Sequence, residues 1–91
     1  MKAAARILIG GAVQGVGFRY FIYRQASRLG LVGFTRNLRG GEVEIELEGE
    51  RTLIESLLKQ ARTGPIMARV DHLRIDWQDC QDRYTHFEIR H

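Results

Sequence analysis

From Glu42 to Glu48 the chain reads EVEIELE, with Val43, Ile45 and Leu47 set between glutamates at every second position. Side chains of an extended strand point to opposite faces in turn, so this stretch commits one face to an apolar core and turns its acidic face to water. Such a strand cannot stand alone. It needs paired neighbours in a sheet and a second layer over its apolar face.

The flanking sequence supplies both, because its apolar period switches between two and 3.6. Ile7, Leu8 and Ile9 form a short β-prone run ending at Gly10-Gly11, as expected of a strand buried on both faces. Phe18, Phe21, Ile22, Gln25, Ala26 and Leu29 recur at spacings of three and four, with Arg24 and Arg28 opposite, which predicts an amphipathic helix closed by Gly30. Leu31 to Leu38 reads as a second strand, joined to EVEIELE through Gly40-Gly41, whose positive φ angles would suit a tight hairpin. After Gly49, Leu53, Ile54, Leu57, Leu58 and Ala61 share one helical stripe. Thr52 and Glu55 there have capping-box spacing, and Gly64-Pro65 is a stop. Leu73, Ile75 and Trp77 alternate with Arg74 and Asp76 while Val70 has the opposite parity, so a bulge is expected near Asp71-His72. A polar loop over 79–82 precedes a short final strand with Phe87 and Ile89. The order β-α-β-β-α-β with a small fifth strand predicts an α+β two-layer sandwich: an antiparallel sheet with two helices on one face.

A length of 91 residues, 44% of them hydrophobic, suits one domain spanning 1–91 around a single core. With Cys80 the lone cysteine, no intramolecular disulfide can form, and no Cys/His cluster has zinc-ligand spacing; a reducing, cytoplasmic setting is the simplest expectation. The opening MKAAARILIGGAV resembles a secretion signal only superficially, since Arg6 interrupts it and the apolar run is short. No segment approaches the roughly 20 apolar residues of a membrane span. A monomer bound to neither membrane nor nucleic acid is expected. Charge is unevenly placed: residues 1–41 carry seven bases and no acid, whereas residues 42–91 carry seven bases and eleven acids. A one-signed half of this kind can steer an anion to a cleft.

The stretch GAVQGVGFRY, Gly11 to Tyr20, suggests where. Gly15 and Gly17 lie between the first strand and the first helix, where consecutive N–H groups can turn inward as a concave anion site and the helix adds its own free donors. Arg19 follows at the positive end of the helix dipole, a placement that makes sense if an anion lies between them. Several converging donors plus a planar fork favour phosphate over carboxylate. The stretch is neither a P-loop nor a dinucleotide pattern. On spacing alone, an anion site and a purely structural glycine turn both remain open.

GAVQGVGFR, Gly11 to Arg19, resembles the acylphosphatase signature G-x-V-Q-G-V-G-F-R at every fixed position. GFTRNLRGGEV, from Gly33, resembles a second block of that family, GPIMARV, Gly64 to Val70, resembles a third, and the closing FEI is similar too. Thr35 stands where the family usually has Val, and Gly40 where it often has Asp. Neither departure removes a residue to which the family assigns chemistry. The resemblance implies a ferredoxin-like fold and a free-standing enzyme that hydrolyses the carboxyl-phosphate bond of acyl phosphates without metal, cofactor or covalent intermediate. Backbone N–H groups of Gly15, Val16, Gly17, Phe18 and Arg19 would bind the phosphate. The Arg19 guanidinium would grip it, and Asn37 would orient the attacking water.

That sparse list is chemically sufficient. A carboxylate leaving group has a conjugate acid of pKa about 4, so no general acid is required. Phosphoryl transfer passes through a loose, charge-dispersed transition state that fixed positive electrostatics stabilise, and the substrate's own phosphate can take the water's proton. Asp76, Asp79 and Asp82 lack the glycine and closing Glu of a calcium loop. Cys80 lacks the following arginine of a cysteine phosphatase, and nothing links it to His72 or His86. His91 reads as an exposed terminal residue, and Tyr20, Phe21 and Tyr23 as helix and core residues. The competing readings are a non-catalytic phosphate-binding module, which would not need Asn37, and an RNA-binding sheet, which the glutamate row opposes.

Overall fold

The computed structural model describes all of residues 1–91. In chain order the elements are β1 (Lys2–Ala12), α1 (Phe18–Leu29), β2 (Val32–Asn37), β3 (Val43–Glu50), α2 (Arg51–Thr63), β4 (Arg69–Gln78) and β5 (Phe87–Arg90). The strands form one sheet in the order β4-β1-β3-β2-β5. The acidic strand β3 is central, antiparallel to β1 from Lys2↔Glu50 to Ile9↔Val43 and antiparallel to β2 from Val32↔Glu48 to Asn37↔Val43. The fifth strand corrects the all-antiparallel expectation, because β5 runs parallel to β2, Gly33↔Phe87 to Arg36↔Arg90. β3 and β4 both run opposite to β1, so β2 runs with β1. A strand that turns back after β4 also runs with β1, and meets β2 parallel.

Both helices lie on one face, α1 against β2 and β5, α2 against β1, β3 and β4. The core joins Ala3, Ala5, Ile7 and Ile9 of β1 to Val43, Ile45 and Leu47 of β3 under Phe18, Ile22, Ala26, Ile54, Leu57, Leu58 and Ala61 of the helices. Helical and strand periods thus meet in one layer, as the apolar pattern predicts. Thr35 is fully buried there, and its hydroxyl donates to the Glu44 carbonyl at 3.0 Å, so this departure from the family pattern leaves no orphan. The bulge sits where parity breaks: register shifts between Gly10 and Gly11, which face His72 and Val70 and leave Asp71 over. β1 is longer than its apolar run, continuing through Gly10 and Gly11 to Ala12.

Two local expectations change. α2 begins at Arg51, one residue before Thr52, and no side chain caps it; Glu50 instead holds the Met1 ammonium at 2.6 Å while the Arg51 N–H donates to the Met1 carbonyl. In the β2–β3 hairpin only Gly41 has a positive φ, 100°, and the turn closes by the Leu38 N–H donating to the Glu42 carbonyl at 2.7 Å.

The larger correction concerns the acidic row, of which Glu42 and Glu46 keep some contact with water and the other two are buried. Glu44 and Glu48 are each 2% exposed. Glu44 accepts from Arg6 on β1 and Arg36 on β2 at 2.7 and 2.5 Å. Glu48 accepts the backbone N–H groups of Gln81, Arg83 and Tyr84, and Glu46 accepts from the Tyr84 hydroxyl at 2.7 Å. The chain must cross from one sheet edge to the other between β4 and β5, and its amides need acceptors on the way. The glutamates are those acceptors. Tyr84 packs edge-on against Phe34 with centroids 6.0 Å apart, and burial, then the bond to Glu46, pushes its pKa up to about 12.

Candidate active site

Residues 13–17 carry the chain from the sheet layer into the helix layer, anchored by Val13 and Phe18, each 1% exposed. Gly15 and Gly17 have φ of 75° and 77°, and Val16 between them does not share that left-handed conformation. A Cβ at either glycine would meet no atom within 4 Å, so the backbone angle and not lack of space demands glycine. Alternating hands turn successive N–H groups toward one side, which builds a concave donor cluster. The N–H groups of Gly15 through Tyr20 donate to no other backbone group. The first turn of α1 contains no acid, so the positive end of its dipole is not neutralised within the helix.

Gln14 ties this loop to the hairpin that carries Asn37. Its Nε2 donates to the carbonyls of Leu38 at 2.7 Å and Glu42 at 2.9 Å. Asn37 ends β2, opposite Val43, and its Oδ1 is buried without a hydrogen-bond partner, the one such side-chain atom in the molecule. An unsatisfied buried oxygen costs about 1–3 kcal/mol.

Arg19 is half-buried, and its Nη1 donates to the Arg90 carbonyl at 2.8 Å and lies 3.4 Å from His91 Nδ1. No carboxylate lies within 4 Å of its guanidinium. The parallel placement of β5 makes this grip, since it brings that strand's end beside the start of α1.

An open pocket of about 240 Å³ gathers Gly15, Gly17, Phe18, Arg19 and Asn37, together with Tyr20 and His91. Val16 turns its side chain to the core and offers only its backbone. Sequence reasoning missed three contributors: the tether of Gln14, the Arg90 carbonyl and the approach of His91. Gln14 was legible as a fixed position of the motif, whereas the β5 contacts required the topology. Cys80 takes no part; its Sγ contacts Asp82 at 3.6 Å, while His72 and His86 lie beside Glu42 and Glu88. Nowhere do three His, Cys, Asp or Glu side chains converge as a metal site would require. No helix is long and apolar enough to cross a membrane.

An acylphosphatase family model matches residues 5–89. An acylphosphatase of Anaeromyxobacter dehalogenans is 43% identical over 89 residues, covering 98% of this chain and 96% of the relative. One of Salinibacter ruber is 43% identical as well, covering 98% of this chain and 92% of its own. The crystal structure of acylphosphatase from Bacillus subtilis superposes with a TM-score of 0.94 at 31% identity, and the match covers both chains completely. Likeness on this scale, in sequence and in backbone alike, places the chain in the acylphosphatase family.

Proposed function

We propose that this chain hydrolyses acyl phosphates in its glycine-loop pocket, without a metal and without a covalent intermediate. The observation that carries the reading is the run of N–H groups from Gly15 to Tyr20 with no backbone acceptor, beside an Arg19 guanidinium with no carboxylate. The phosphoryl group accepts from those amides and from the free face of the Arg19 fork. Asn37 lines the same pocket, and its carboxamide holds the attacking water. The water oxygen bonds to phosphorus as the bond from phosphorus to the acyl oxygen breaks. The carboxylate departs with that electron pair, unprotonated, and both water hydrogens end on inorganic phosphate. Fixed dipoles and one cation stabilise the dispersed charge throughout.

A monomer is the proposed working state, and the lone Cys80 fits a reducing, cytoplasmic setting. Asn37 separates this reading from simple anion binding. Purified protein should hydrolyse acetyl and benzoyl phosphate in excess EDTA and leave p-nitrophenyl phosphate largely intact, because that ester departs as a more basic oxyanion. Arg19→Ala should lose both rate and competition by inorganic phosphate, whereas Asn37→Ala should lose rate and keep phosphate affinity. Absence of turnover above the spontaneous rate would refute the assignment.

A further inference from the structure

A second groove of about 320 Å³ runs along α1 from the phosphate pocket and shares Gly17 and Tyr20 with it. Its walls include Tyr20, Phe21 and Pro65, and Arg24 and Arg28 line it further along. Positions 17, 20, 21, 24 and 28 fall on one helical face. Neither Arg24 nor Arg28 has a carboxylate within 4 Å, and no acid precedes Glu42 in the chain. Helical arginines lean toward the N-terminus, and the Arg24 guanidinium carbon lies 6.0 Å from the Tyr20 ring centroid. From Gly17 to Arg24 the helix rises roughly 10 Å, and the lean of Arg24 over Tyr20 shortens that axial gap.

We propose that this groove is the acyl-group subsite and that Arg24 selects acyl phosphates whose acyl chain ends in a carboxylate. The inference rests on the acylphosphatase reading and deepens it. The phosphoryl end sits in the glycine loop, the carbon chain lies against Tyr20, Phe21 and Pro65, and the distal carboxylate meets the Arg24 fork. Arg24 does not touch the reacting atoms. It sets which substrate is held.

The test compares two trans-configured, four-carbon acyl phosphates that cannot cyclise: fumaryl phosphate, ending in a carboxylate, and crotonyl phosphate, ending in a methyl. Rates are corrected for spontaneous hydrolysis. The wild type should favour fumaryl phosphate about tenfold in kcat/KM at low salt, the difference lying in KM and shrinking as salt is added. Arg24→Gln should bring that ratio to about one. Arg74→Gln, which removes the same charge from an exposed position on β4, should leave the ratio as it is. A wild-type ratio near one overturns the subsite, as does a preference that survives Arg24→Gln or is lost equally in Arg74→Gln. If neither substrate is hydrolysed, the acylphosphatase reading falls and the subsite with it.

Discussion

Gly17→Ala probes the cradle directly, because the structure separates the two reasons a glycine can be required. A Cβ at Gly17 meets nothing within 4 Å, so the whole penalty comes from holding an L-residue at φ 77°. That conformation costs about 1–2 kcal/mol, while the stiffer unfolded chain returns about 0.4–1 kcal/mol. If the loop keeps its shape, the net loss is about 0.5–1.5 kcal/mol. In a domain of this size that lowers Tm by about 3–10 °C. The amides then still point inward, and phosphate at 100 times its Kd should add about 2.7 kcal/mol to wild type and variant alike.

If instead the loop relaxes to escape the strain, Tm barely falls but the phosphate increment collapses. Thermal melts with and without phosphate read both quantities. Gly17→Asn, whose side chain tolerates the left-handed region better, should lie between wild type and Ala on either axis. The strain must surface in one of the two. An alanine variant with unchanged Tm and an unchanged phosphate increment would refute the claim that this backbone angle builds the anion site.

Gln14→Ala removes the tether between the glycine loop and the β2–β3 hairpin, so phosphate affinity should fall severalfold in titration calorimetry while Tm moves little. Glu48→Ala strips an acceptor from three loop amides and should raise hydrogen exchange across residues 81–84 well before global unfolding. Glu44→Gln leaves Arg6 and Arg36 without their anion, but both arginines are partly exposed and can hydrate, so urea titration should show a loss of about 1–3 kcal/mol and not the larger cost of a sealed pair. Tyr84 holds its proton to about pH 12 when folded and loses it near 10 when unfolded. Its contribution is therefore complete below pH 10 and is lost as pH rises toward 12, and Tyr84→Phe should flatten the stability profile in that window.

Much of the fold could be read from apolar spacing, and the physical reason is that each element buries one face. The stripe Ile54, Leu57, Leu58 and Ala61 and the alternation Val43, Ile45, Leu47 name their own partners, since a common core must receive both. The broken parity at Val70 was enough to locate the bulge. Legibility stopped where a residue's surroundings depend on chain crossing. Alternation says that Glu44 and Glu48 share a face, but it carries no information on the loop over residues 79–86 that covers that face. The β5 grip on Arg19 was hidden for the same cause, because pairing with β2 follows from the direction of β4 and not from any local pattern. The glycine loop itself was legible, being local.

The acidic row and the cationic pocket also depend on one another. Carboxylates near Arg19 would compete with a phosphate dianion for its fork, yet this chain carries eleven acids among 91 residues. Period-two alternation in β3 points Glu44, Glu46 and Glu48 away from the helices, and the buried layer of Ile7, Ile45 and Leu47 lies between those carboxylates and α1. There they are met by Arg6, Arg36, Arg83 and the loop amides, so their charge is compensated where it stands. α1 carries no acid at all; its Arg19 lines the glycine-loop pocket, and its Arg24 and Arg28 line the neighbouring groove. The sheet thereby separates the two signs of charge. Moving a single carboxylate onto α1, as in Tyr20→Glu beside the glycine loop, should weaken phosphate competition more than Arg74→Gln, which lowers the net charge by the same one unit on the opposite face of the sheet. Equal losses at the two positions, with phosphate competition as the readout, would mean that net charge and not its placement governs the site.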